Sequence, residues 1–183
     1  MAPLPWKTLT TREIYQNKWM RLREDLAEMP NGKTTIYGVC EFGHCVAVLP
    51  FVDDKNVVMV RQYRYTHKEN HRWEMPSGGL RAEETPEEAA QRELMEEAGY
   101  RAGRLTWVST YYTTKCVTDE VGYLYLGHDL TLAALPPDDT EFLERTILPF
   151  DEVLEMVNAS EIRDSMTVIA VLHAARLRTA GQL

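Results

Sequence analysis

Three glutamates, Glu93, Glu96 and Glu97, stand close together in the stretch GGLRAEETPEEAAQRELMEEAGY, which runs from Gly78 to Tyr100. At about 3.6 residues per helical turn they fall within roughly 100° of arc on one face. Like charges at these spacings repel by a few tenths of a kcal/mol per pair, roughly. Two readings follow. The stripe is a solvated acidic surface, partly offset by Arg92 reaching Glu96. Alternatively it is a hard-cation site, whose carboxylate oxygens hold Mg²⁺ and leave positions open for phosphate oxygens and water. Helix geometry alone does not separate them. Gly78 and Gly79, just ahead of the helix, favour the second, because they let the backbone turn tightly beside the carboxylates.

The order of residues narrows the choice. Gly78, five residues, Glu84, seven residues, then Arg92-Glu93-Leu94-x-Glu96-Glu97-x-Gly99-Tyr100 resembles the signature box of the Nudix hydrolase family at every position. Seven prescribed residue types at average usage match by chance on the order of one time in ten million. The resemblance implies Mg²⁺-dependent hydrolysis of a phosphoanhydride bond, with Mn²⁺ as a substitute. It makes Glu93 and Glu97 the principal metal ligands, Glu96 close behind, and the Ser77 backbone carbonyl a further ligand. Arg92 would orient a carboxylate by a charge-assisted hydrogen bond.

Outside the box, Val60-Arg61-Gln62-Tyr63-Arg64-Tyr65, Trp73-Glu74-Met75-Pro76-Ser77-Gly78-Gly79 and Glu161-Ile162-Arg163-Asp164-Ser165 resemble the ADP-ribose pyrophosphatase and nucleotide-sugar hydrolase subgroup. The similarity runs from about Lys7 to Arg178. It implies ADP-ribose as substrate, with AMP and ribose 5-phosphate as products. GDP-mannose or another nucleotide sugar is the rival substrate, and a non-catalytic nucleotide-sugar-binding module the rival class. Arg64 becomes a phosphate or base contact (otherwise a surface arginine at a strand edge), Glu74 a loop-orienting or substrate group, and Gly79, Thr114 and Glu120 substrate neighbours. The subgroup's Ser-Pro-Gly is here Thr114-Lys115-Cys116, which exchanges a rigid turn for a flexible cation. For the general base the resemblance points to Glu141, with Asp139 as second choice; the plain reading is a solvated acidic loop, and Glu96 is the alternative base. A homodimer is implied as well.

Elements must hold these residues in place. Thr85-Pro86-Glu87-Glu88 combines an N-cap, a proline at the first helical position and a capping box, and Gly99 provides a stop, which predicts a helix over 86–98. Pro30-Asn31-Gly32 between residues 18–29 and 33–42 predicts a β-hairpin. Strands are expected at 45–52, 56–65, 105–112, 121–126 and 142–148, and helices at 151–158 and 164–178, the latter capped by Asp164 or Ser165. The mixture without regular alternation predicts α+β; with the resemblance, it becomes a Nudix-type α-β-α sandwich with a mixed sheet and an amino-terminal hairpin arm. The chain reads as one domain over 1–183, with strands and arm in 1–42 and the catalytic core in 43–183.

Composition sets the bounds. The chain has 183 residues, 44% hydrophobic and 26% charged, with a formal net charge of −8. Such acidity argues against wrapping nucleic acid, and any phosphate must meet placed arginines or bound cations. No apolar run approaches the roughly 18 residues of a membrane span. Three cysteines without framework spacing, and no leader-like start, fit a cytoplasmic protein. His67 and His71, four apart in a polar segment, read as loop residues rather than zinc ligands.

Overall fold

The computed structural model describes residues 5–70, 73–136, 138 and 142–183. In chain order the strands are β1 (Lys7–Gln16), β2 (Arg21–Glu28), β3 (Thr34–Glu41), β4 (Cys45–Pro50), β5 (Asn56–Arg61), β6 (Tyr63–Arg64), β7 (Glu69–Asn70) and β8 (Ser77–Gly79). Helix α1 (Pro86–Glu93) follows and continues as a π-helical turn over Leu94–Ala98. Then come β9 (Tyr100–Tyr112), β10 (Val121–Leu132), β11 (Glu144–Pro149), α2 (Phe150–Asn158) and α3 (Ser165–Thr179). These pack as two compact units: one of residues up to 44 with 112–121, the other of 45–111 with 122–183.

The larger unit is built on a mixed sheet in the order β8-β4-β10-β9, β4 lying parallel to β10 and antiparallel to β8. Every residue of β4 is buried. The cause is visible in which neighbours the alternating side chains meet. Ala47 and Leu49 share a cluster with Val153 and Val157 of α2 and Ala170, Val171 and Ala174 of α3. Val46 and Val48 share another with Ala89 and Ala90 of α1 and Leu94. Strand β5 divides in the same way, Val57 and Met59 joining the first cluster and Val58 the second. With helices on both faces, a strand reads as a continuous apolar run, and the α-β-α layering follows. A separate antiparallel pair joins β11 to β5.

The smaller unit is an antiparallel sheet in the order β1-β2-β3. Its hairpin closes through Met29 N–H to Lys33 O at 2.8 Å and Gly32 N–H to Met29 O at 2.9 Å. Only Gly32 takes positive φ, +79°. Asn and Gly both tolerate such a backbone; here the loop spans three residues, Pro30 to Gly32, with glycine alone in the left-handed position. Residues 113–120 belong to this unit: Cys40 N–H bonds Val117 O at 2.8 Å and the Tyr37 hydroxyl bonds Cys116 O at 3.0 Å.

The expected helix at 86–98 is present, with its capping box formed by Thr85 and Glu88. Its last turn is π-helical, and Gly99 (φ 80°) ends it by donating its N–H to Leu94 O. Strands β9 and β10 are longer than the sequence suggested, β9 beginning directly after Gly99. Asp164 is the cap of α3, its carboxylate accepting from Thr167 N–H at 2.8 Å. No helix among the described residues is long and apolar enough to cross a membrane.

Candidate active site

Arg92 organises the box. The guanidinium has five N–H donors, and five hydrogen bonds are made. Two go to Glu84 at 2.7 and 2.9 Å, one each to Glu93 at 2.6 Å and Glu96 at 2.9 Å, and one to the Gly79 carbonyl at 2.9 Å. Arg92 thereby ties the start of the loop, its end and the helix into one object, which makes it a positioning residue. The bidentate ion pair holds the Glu84 carboxyl down at about 2 and raises the Arg92 pKa further above its already high usual value.

Glu93 and Glu97 are buried, 6% and 1% exposed. Glu97 accepts a hydrogen bond from Ser77 N–H at 2.7 Å. Ser77 was expected to offer its carbonyl to a metal; the contact observed here uses its N–H, and it links β8 to the helix. Gly78 pairs with Val46 across the sheet, and a Cβ at this position would overlap the Glu93 carboxylate. Only glycine lets the strand pass so close to that glutamate. Glu96 is less buried and carries two guanidiniums, Arg92 on one oxygen and Arg81 on the other at 3.1 Å. Arg145 of β11 donates to the Glu96 carbonyl at 2.9 Å, supplying a cation at the carbonyl end of the π-turn.

Could this group hold a divalent cation? Among the described residues, the carboxylates of Glu84, Glu93, Glu96 and Glu97 gather with the guanidiniums of Arg81 and Arg92. Buried carboxylates are costly unless cations or hydrogen-bond donors join them. The donor set is all oxygen, which suits a hard dication. Among the described residues no three acidic, histidine or cysteine side chains already converge as a finished cage. Arginines and a backbone N–H occupy several of the oxygens instead. The residues fit a dication that displaces some of these contacts.

Arg64 and Glu74 form a second, adjoining pair. Glu74 is buried and bonds Arg64 at 2.5 and 3.3 Å. Burial pushes the Glu74 pKa up, and Arg64 opposes that. Glu74 is bridged to Val60 of β5 by backbone hydrogen bonds of 2.8 Å in each direction. The next residue, Met75, donates its N–H to the Thr167 hydroxyl at 3.0 Å, and that hydroxyl bonds Asp164 at 2.7 Å. The cap of α3 thus fixes the backbone beside Glu74.

The structure brings Ser77, Gly79, Arg92, Glu93, Glu96 and Glu97 together, with Arg64 and Glu74 bonded to each other. Thr114 and Glu120 lie in the smaller unit: the Thr114 carbonyl accepts from Val117 and Thr118 N–H at 3.1 Å, and Glu120 N–H bonds the Thr118 hydroxyl at 3.1 Å. Glu141 and Asp139, the expected base and its second choice, lie outside the described residues, as does His71. Three contributors went unread in the sequence: Arg81, Arg145 and Thr167. Thr167 was within reach, since Asp164 was already a cap candidate. The two arginines carry no local pattern that marks them.

A mixed sheet between helices, with a glycine-turned loop delivering glutamates to one helix, defines the class: an α-β-α domain with an acidic, cation-accepting centre. The NUDIX domain model matches residues 42–167, and the chain belongs to the Nudix family. The model of the nucleoside diphosphate sugar hydrolase N-terminal domain matches residues 6–40. An ADP-ribose pyrophosphatase of Bacillus subtilis is 32% identical over 173 residues, covering 93% of both chains. A methanol dehydrogenase activator of Bacillus methanolicus is 35% identical, covering 90% of both. The fold matches a crystal structure of an ADP compounds hydrolase with a TM-score of 0.89 over 100% of each chain, at 20% identity. Nudix hydrolases work with a divalent metal.

Proposed function

We propose that this Nudix pyrophosphohydrolase cleaves the phosphoanhydride bond of nucleoside diphosphate sugars, with ADP-ribose giving AMP and ribose 5-phosphate. The observation that carries the reading is the Arg92 cluster, in which one saturated guanidinium holds Glu84, Glu93, Glu96 and the Gly79 carbonyl in place. Relatives named ADP-ribose pyrophosphatase in Bacillus subtilis and Mycobacterium tuberculosis, and ADP-sugar pyrophosphatase in Mus musculus, support the choice of substrate. A GDP-mannose pyrophosphatase of Cronobacter sakazakii, 31% identical over 74% of this chain, keeps GDP-mannose as the second substrate to test.

The residues that would hold the metal are Glu93, Glu97 and Glu96, with the Ser77 backbone beside them. Mg²⁺, or Mn²⁺ in its place, supplies charge neutralisation at the diphosphate and acidifies water. Arg92 keeps the carboxylates in register. Gly78 and Gly79 let the loop lie close against them. Arg64, part-exposed beside Glu74, is the cation for a phosphate or base, and Glu74 fixes its direction. Glu96 or Glu141 takes the proton from water. The test is hydrolysis of ADP-ribose, GDP-mannose and a dinucleoside diphosphate with Mg²⁺ and with Mn²⁺. Turnover of ADP-ribose above the others is expected; no metal-dependent turnover of any of them refutes the assignment.

The chain forms a homodimer in this reading. The smaller unit exposes Trp6, Leu9, Ile14, Tyr15, Trp19, Leu26 and Ile36, with Trp19 at 68% and Ile36 at 66%. A small sheet with apolar side chains exposed to this extent is stabilised by packing on something else. Light scattering at micromolar concentration should give about twice 21.1 kDa. A mass near 21.1 kDa removes the dimer.

A further inference from the structure

Glu96 carries two arginines of very different standing. Arg92 is largely buried and spends all five donors inside the cluster. Arg81 has a 61% exposed side chain and makes a single bond, to the other Glu96 oxygen. Its backbone, however, is fixed. Arg81 N–H bonds the Glu84 carboxylate at 3.0 Å, and Glu84 N–H bonds Arg81 O at 3.2 Å. A tight turn therefore holds the base of a long, flexible cation beside the acidic centre.

We propose that Arg81 is an electrostatic gate on the metal site: its guanidinium holds a Glu96 oxygen that a divalent cation at the box would compete for. The inference rests on the metal reading of the box given above. A cation already on a carboxylate competes with a second, and the more weakly held one leaves. An exposed single-bonded ion pair is weak, whereas Arg92 cannot leave without breaking five bonds. Arg81 is thus the contact that a dication displaces. Its presence weakens metal binding to the substrate-free enzyme. Once displaced, its guanidinium stands exposed next to the centre at which a diphosphate would be held, so metal and substrate support each other's binding.

The experiment is Mn²⁺ titration of the substrate-free full chain, followed by electron paramagnetic resonance, for wild type, Arg81→Gln, Arg81→Lys and Glu97→Gln. At low ionic strength Arg81→Gln should bind Mn²⁺ about threefold more tightly than wild type. Arg81→Lys keeps the charge and should stay within about twofold of wild type. The gap should close near 1 M salt, where the screening length falls to about 3 Å. Damage to the fold could only loosen binding, so a tighter variant is not a structural artefact. In turnover, Arg81→Gln should raise KM for the diphosphate substrate more than it lowers kcat. If Glu97→Gln abolishes Mn²⁺ binding but Arg81→Gln binds no more tightly than wild type, the gate is overturned and the metal site stands. If Mn²⁺ binding survives Glu97→Gln unchanged, the metal reading falls and the gate with it.

Discussion

The two units solve the same problem, stabilising a sheet, in opposite ways. In the larger unit β4 is buried on both faces, and α1 on one side and α2 with α3 on the other complete its core. In the smaller unit every residue of β1 is exposed, and large side chains such as Trp19 and Ile36 face outward. The contrast separates chemistry from context. Charged groups that must be held to a fraction of an ångström sit on the rigid, two-sided layer, where strand β8 and helix α1 cannot shift independently. The one-sided sheet is suited to meeting something else, and residues 113–120, which carry the departure from the ADP-ribose pyrophosphatase subgroup's pattern, belong to the same unit.

Breaking the rigid side should have the largest effect. Glu97→Gln removes a formal charge from the most buried member of the cluster with little change of shape. We expect kcat to fall at least about 10²-fold with thermal melting unchanged. Near-wild-type turnover in Mg²⁺ by the folded variant would reject Glu97 as a ligand. The same rigid side should also show in acid. Glu84 has its pKa depressed from 4.5 to about 2 by Arg92. A depressed carboxylate binds fewer protons folded than unfolded, so its contribution is present above about pH 4.5 and is lost as pH falls toward 2. We expect up to about 2–3 kcal/mol of acid-sensitive stability from this pair. Glu84→Gln should flatten that limb of the stability–pH curve, and an unchanged limb in denaturant titrations contradicts the assignment.

How much of this was legible in the sequence follows the same division. The rigid side was readable because its local chemistry is explicit: Thr85 and Glu88 announce the capping box, Gly99 the stop, and the glutamate spacing the acidic face. The π-turn was not readable, since Leu94 to Ala98 are ordinary helix formers and the wider turn is settled by Gly99 donating to Leu94 O. Arg81 and Arg145 were missed because each reaches the site through tertiary contact, Arg145 from a strand 49 residues further along the chain. On the one-sided sheet the Asn-Gly turn predicted the hairpin, but not that glycine alone would take positive φ. Conditions of three-dimensional crowding, such as the overlap that any Cβ at Gly78 would make with Glu93, leave only a glycine in the sequence and no statement of why it is there.

The smallest effect, and the one that most sharpens the contrast, concerns Lys115 and Cys116. Both are exposed, and the Cys116 carbonyl is held by the Tyr37 hydroxyl. The resemblance to the ADP-ribose pyrophosphatase subgroup, which has Pro and Gly where Lys115 and Cys116 stand, implies that this loop bears on substrate choice. Lysine places a mobile point charge there, whereas proline would fix φ and remove a donor. The pocket should accordingly accept several nucleoside diphosphate compounds, and Lys115→Pro with Cys116→Gly should narrow the profile toward ADP-ribose. The Tyr37 bond is to a carbonyl, so both substitutions leave its acceptor in place, although folding needs checking by melting. The measurement is kcat/KM for ADP-ribose against GDP-mannose and a dinucleoside diphosphate in both proteins. We expect the ratio to move by more than about twofold, a shift above ~0.5 kcal/mol. A folded double variant whose ratios stay within that limit would place specificity wholly on the rigid unit, where Arg64 and Glu74 become the next residues to vary.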